Sequence, residues 1–96
     1  EGTVSSHVFL RNGGGTVTVF AFGAGEGLSE HATPHDALVQ CLEGEVRMVM
    51  EGTEHTLAPG QMLYIPPNVV HTVEGGDPFK MVLTIIKDVD LRSRDE

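Results

Sequence analysis

Two glycine-led spacings constrain this chain more than anything else in it. Gly25 is followed after five residues by His31, with Gly44 thirteen residues further on, and Gly60 is followed after five by Pro66 and then by His71. Each histidine belongs to a glycine-marked stretch of strands and turns, and the two lie forty residues apart. Strands that fold back on one another can bring such residues together, because alternate side chains of each strand point to the same side. The arrangement reads as a small β-barrel with a site in its mouth.

The rest of the sequence supports strands almost throughout. From Thr16 to Phe22 the residues alternate, Thr16 and Thr18 against Val17 and Val19, with Phe20 and Phe22 continuing the run of strand formers. Asn12 followed by three glycines is the strongest hairpin turn in the chain, so His7 to Leu10 is expected to pair with that strand. Gly23, Gly25 and Gly27 then break the pattern. Further strands are expected over Ala37 to Leu42, Glu45 to Met50, Glu54 to Leu57, Met62 to Ile65, Val69 to Val73 and Phe79 to Ile86, each bounded by Gly or Pro turns. About eight short strands separated by turns predict an all-β sandwich or barrel. Asp88 to Glu96 is a charged tail, expected to be frayed or briefly helical.

These residues resemble the motifs of the cupin superfamily, in particular the small single-domain, RmlC-like cupins. That family's first motif runs Gly-x5-His-x-His-x3,4-Glu-x6-Gly, and the chain meets it at Gly25, His31 and Gly44. Its second runs Gly-x5-Pro-x-Gly-x2-His-x3-Asn, met at Gly60, Pro66 and His71, with Asn68 at the Gly position and Gly75 at the Asn position. Thr33 stands where the second histidine belongs and Ala37 where the glutamate belongs. The resemblance implies a double-stranded β-helix, a jelly-roll barrel of antiparallel strands spanning residues 1–96 as one domain. It also implies a site at His31 and His71, where the family binds a divalent metal, with two of the four usual ligands replaced.

Two further side chains are candidates to repair that set. His35 lies four residues from His31 and could take over from Thr33 by a shift in the loop, although Pro34 intervenes and a solvent-exposed rim position is the alternative. Gln40 is a polar residue inside the apolar run Leu38 to Leu42, and a buried amide needs a partner. Alternation counted from Ala37 turns Val39 and Cys41 inward and Gln40 outward, toward a subunit or sheet contact; a bulge would reverse this and make Gln40 a ligand. The metal candidates are thus His31, His71, His35 and Gln40, for an ion such as Zn, Ni, Fe or Mn. His55 is expected to be exposed near a hairpin tip, and His7 to lie on a strand edge. Tyr64, Met48, Met50, Met62 and Phe22 are candidates to line the barrel.

The expected function is binding of a small molecule at this partly degenerate metal site. Two alternatives stand beside it: a metal-dependent oxygenase, isomerase or lyase, and a metal-free sensing or structural module. Ninety-six residues suit one domain with a modest core. Exposed strand edges on so small a barrel lead us to expect a homodimer, formed through the strand near His7 to Leu10 or through a sheet face. Cys41 is the sole cysteine, so no disulfide can form within the chain. No apolar run approaches the roughly 20 residues of a membrane span, and a soluble, cytoplasmic protein is the expectation.

The net charge is −8 with only six Lys and Arg residues, which opposes binding to phosphate backbones or anionic lipids. In a gel-shift assay at low salt, where electrostatic binding is strongest, neither DNA nor RNA is expected to be retained.

Overall fold

The computed structural model describes residues 3–87. The charged tail, 88–96, lies outside the described residues. Nine strands are present among them: β1 (Val4–Asn12), β2 (Gly15–Phe22), β3 (Leu28–His31), β4 (Asp36–Glu43), β5 (Val46–Met50), β6 (Thr53–Leu57), β7 (Met62–Ile65), β8 (His71–Glu74) and β9 (Phe79–Ile86). They form a five-stranded sheet in the order β1-β2-β9-β4-β7 and a four-stranded sheet in the order β3-β8-β5-β6. Every pairing is antiparallel. No described helix is long and apolar enough to cross a membrane.

The hairpin at the glycine run forms as the sequence predicts, extended at both ends. Asn12 Oδ1 accepts a hydrogen bond from the Gly14 N–H at 2.7 Å, closing the turn that sets Asn12 opposite Gly15. The strand that sequence reading missed is β3, only four residues long and flanked by glycine-rich and proline-containing loops. It carries His31.

Both sheets bury one face against the other. On β4 the side chains of Ala37, Val39 and Cys41 are buried, and on β5 those of Val46 and Met48. Phe22 and Phe79 stack at 4.4 Å between ring centroids, on paired positions of β2 and β9. The same parity turns Thr16 and Thr18 inward and Val17 and Val19 outward, because Phe20 and Phe22 share the threonines' face. The last turn of the first motif is built by Gly44, at φ 78°, where an added Cβ would meet Pro78 O at 2.7 Å and Phe79 Cβ at 2.9 Å.

Cys41 supports that turn. Its side chain is fully buried, and its thiol points to the carbonyl oxygens of Glu43 at 3.6 Å and Gly44 at 3.5 Å, beside a register irregularity between β4 and β9. A neutral S–H is the form that can donate there. Burial pushes the Cys41 thiol above its ordinary value, partly opposed by a backbone hydrogen bond from Val46 and reinforced by the charge of Glu45. A raised value in the folded state means that its contribution to stability is whole below the unfolded-chain value of about 8.5. The contribution is lost as pH rises from there through the folded-state value. Denaturant unfolding is therefore expected to show stability declining in alkaline solution, with part of that decline absent in Cys41→Ala.

Candidate functional site

β3 and β8 are neighbours in the four-stranded sheet, and their register sets His31 directly opposite His71. The row continues through Met50 and Thr53 on β5 and β6. Met48 and Val73, two residues along from Met50 and His71, are buried, so the whole row faces the barrel interior. The two imidazole rings lie 4.3 Å apart between centroids, tilted by 60°. His71 is 5% exposed while His31 is exposed, so the pair spans the boundary between the interior and the opening.

Backbone carbonyls orient both rings. Nδ1 of His31 is 2.7 Å from Ser29 O, and Nδ1 of His71 is 2.9 Å from Val69 O. A carbonyl oxygen can only accept, so each neutral ring carries its proton on Nδ1 and keeps its lone pair on Nε2. Both histidines make this bond to the residue two positions back along their own chain.

The two motif loops are tied together behind the pair. The Asn68 N–H donates to Thr33 O at 2.7 Å, joining the loop that follows His31 to the loop that precedes His71. Asn68 has φ 66°, the left-handed conformation in which the family motif places glycine. Asparagine is among the few other residues that adopt it readily. The backbone requirement of the second motif is met by a different residue.

The other expected ligands do not join the pair. Among the described residues no group of three or more His, Cys, Asp or Glu side chains could hold a metal ion, so His35 does not complete a set with His31 and His71. Its N–H faces Thr33 Oγ1 at 3.4 Å. Gln40 lies between the buried Val39 and Cys41 and pairs with Met62 and Val82, which puts it on the outer face of the five-stranded sheet. No bulge interrupts β4 between Ala37 and Gln40, so the reversal that would have turned the amide inward is absent. Ala37, at the glutamate position, does face inward, packed between Ile65 and Ile85, and offers a methyl group.

Three other expectations are corrected by the register. His55 is half-buried and faces the interior, because it pairs with the inward Met48. Met62 and Tyr64 do not line the barrel; they stand on the outer face, where Tyr64 Oη donates to Asp36 Oδ1 at 2.5 Å. Met48 and Phe22 are buried in the core as expected, with Met50 partly buried against it.

A family model described as "Cupin domain" matches residues 18–86. No curated protein matches the sequence. Among solved structures, a cupin 2 conserved barrel domain protein from Leptotrichia buccalis is 33% identical, with a TM-score of 0.86, covering 91% of this chain and 42% of that one. A cupin superfamily protein from Desulfitobacterium hafniense is 27% identical, with a TM-score of 0.87 and coverage of 92% and 81%. At 21% identity and a TM-score of 0.79, the DMSP lyase DddQ from Ruegeria pomeroyi shares the fold, over 97% of this chain and 54% of that one. The two antiparallel sheets, the histidine pair on matched motif positions and the family model over most of the chain agree: this chain belongs to the cupin family.

Proposed function

We propose that the chain binds a small molecule at the open end of the barrel, around His31 and His71, with a divalent transition metal held by the Nε2 atoms of those two residues as the anchor. The observation that carries this reading is the pair of Nδ1 contacts to Ser29 O and Val69 O, which leaves two acceptor nitrogens on directly paired strand positions. Hydrogen bonds of this kind fix ring orientation and raise ligand basicity in metal-binding histidines. Two imidazoles with no inward carboxylate at position 37 suit a borderline ion such as Zn, Ni, Fe or Mn, with the remaining positions taken by water or by oxygen atoms of the ligand. When bound, such an ion supplies Lewis acidity and open coordination positions.

The chain's own residues shape what enters. Met50, partly buried, and the buried Val73 and Met48 give the floor beside the pair an apolar character, while Thr53 and the half-buried His55 add polar groups on β6. This is the make-up of a small-molecule pocket, apolar walls with a few placed polar groups. An enzyme is the second reading, since the fold also belongs to a lyase. Binding is preferred because the motif's carboxylate position holds Ala37 and Asp36 is engaged by Tyr64 on the outer sheet. A catalytic base beside the histidines would have to come from elsewhere.

Elemental analysis of purified protein, with titration of Zn, Ni, Fe and Mn into the metal-stripped chain, tests the anchor. His31→Ala and His71→Ala are each expected to weaken metal affinity by on the order of tenfold or more, and to remove most of the rise in Tm that added metal produces. Metal content indifferent to both substitutions would place the ion elsewhere. Absence of metal under all conditions would leave the metal-free reading.

Gln40→Leu separates the two faces of β4. Its removal from the outer face is expected to leave metal affinity at the histidine pair unchanged, while altering stability or association by about 1 kcal/mol, the scale of one hydrogen bond. A loss of metal affinity in this variant would contradict the outward orientation.

A further inference from the structure

β3 reaches His71 through an irregular register. Leu28 pairs with Val73 and His31 with His71, so three steps along β3, from 28 to 31, match two along β8, from 73 to 71. One residue is extra on β3, and Ser29 and Glu30 together stand opposite Thr72. A regular ladder running on from Leu28 would set Glu30 opposite His71 and turn His31 to the outside. The bulge therefore decides that an imidazole, and not a carboxylate, faces His71. It also supplies the carbonyl of Ser29, 2.7 Å from Nδ1 of His31. Leu28 packs against the core and His31 faces it, three residues apart in a strand whose faces alternate every two. Only the bulge satisfies both.

Four residues with an interrupted ladder make few bonds of their own, so their register is held from the two ends of the strand. The far end is tied where the Asn68 N–H donates to Thr33 O. The near end is held by two glycine turns packed backbone against backbone. Gly25 N–H donates to Gly76 O at 2.7 Å. A Cβ on Gly75 would collide with Gly25 O, and one on Gly27 with Val73 O. Glycine permits that approach because it has no Cβ.

We infer that Arg47 is a positioning residue that locks these turns together and through them keeps His31, rather than Glu30, turned toward His71. Arg47 lies on β5 opposite Glu74, the last residue of β8, and points to the outer face of the four-stranded sheet. Its Nη2 donates to Gly75 O, at the place where the two turns interlock. The guanidinium lies against Gly76, where an added Cβ would come within 2.7 Å of Nη2. A charged donor makes the stronger kind of hydrogen bond to a carbonyl, and Arg47 is half-buried, which limits competition from water. The Glu74 carboxylate beside it accepts from Thr72 Oγ1 at 2.8 Å. An open crevice of about 590 Å³, lined by Glu45, Arg47, Glu74, Gly76 and Asp77, gives the turn room to swing outward. The bond from Arg47 opposes that movement where packing does not. The functional weight of Arg47 rests on the reading of His31 as a site residue, while its effect on the His31 ring is measurable without any metal.

Nitrogen NMR of the metal-stripped chain, labelled at its histidines and held above the imidazole titration range, reads the tautomer of each ring. In the wild type His31 and His71 are both expected to carry the proton on Nδ1. Arg47→Met is expected to lose that signature at His31, together with the proximity signal between the two rings, while His71, buried and bonded to Val69 O, keeps its own. Arg47→Lys, which keeps a cationic donor for Gly75 O, is expected to restore the wild-type pattern. Gly75→Ala, which wedges the turns apart with Arg47 in place, is expected to reproduce the loss. A fall in metal affinity of about tenfold is expected to accompany Arg47→Met. Failure of the metal anchor would leave the Arg47 effect on the His31 tautomer intact, so the two readings fail separately. An unchanged His31 signature in Arg47→Met, loss at both histidines together, or no restoration by Arg47→Lys would each overturn the role of Arg47.

Discussion

The structure depends on one constraint: two sheets close over a common core, and side chains on every strand alternate between that core and the outside. Burial of Ala37, Val39 and Cys41 on β4 settles the orientation of everything paired with it. Through β9 it turns Met81, Leu83 and Ile85 inward; through β7 it does the same for Leu63 and Ile65. On the other sheet, Met48 settles Val73 and His55, and Met50 settles His71 and hence His31. A slip of one residue in any pairing would carry a histidine from the interior to the surface. The site is a consequence of register before it is a matter of chemistry.

That separation explains how the motifs have diverged from the family pattern. Positions that satisfy the backbone have kept their function: Gly44 fits a space in which a side chain would collide with Pro78 and Phe79, and Asn68 holds the left-handed conformation in glycine's place. Positions that supply ligands have not all done so. Thr33 and Ala37 stand at the His and Glu positions of the motif, and Ala37 is buried on β4 opposite Ile65 and Ile85. A barrel stabilised by burial can lose ligands and remain folded, because its core residues and its mouth residues lie on different rows of the same strands. His31 and His71 are the two that remain, each oriented by a carbonyl of its own strand or the residues leading into it.

Much of this was legible in the sequence because it follows from local chemistry. The Asn12 turn, the strands ending at Glu43-Gly44 and Glu51-Gly52, and the histidine pair on the motif spacings are all where local rules put them. The outward direction of Gln40 follows from counting in twos from Ala37. His55 was open to the same count: the two-residue turn at Glu51-Gly52 sets Thr53 opposite Met50, and two steps further His55 must oppose Met48. Its nearness to a turn and to Glu54 suggested exposure and hid the parity. β2 was harder, since Thr16 and Thr18 face the interior while Val17 and Val19 face out. Composition suggests the reverse, and only the phenylalanines downstream on the same parity reveal it. β3 carried too few residues, between glycines and Pro34, for any period to emerge.

The outward valines of β2 also connect the core to the surface. A sheet with apolar side chains on both faces is expected where both are covered, as in strands buried on two sides. Here the inner face is covered by the four-stranded sheet, and the outer face presents Val17, Val19, Leu38 and Val82 on three adjacent strands. Apart from Val49, polar and charged residues occupy the outward positions of the other sheet, which alternates as a sheet facing water does. The two sheets are therefore built for different surroundings. The four-stranded sheet holds both histidines and the short strands β3 and β8, and its outer face is the more polar of the two. Elements with short strands and solvent-facing loops are the ones that open at least cost, and the exposed His31 lies at such an element, beside the mouth of the barrel.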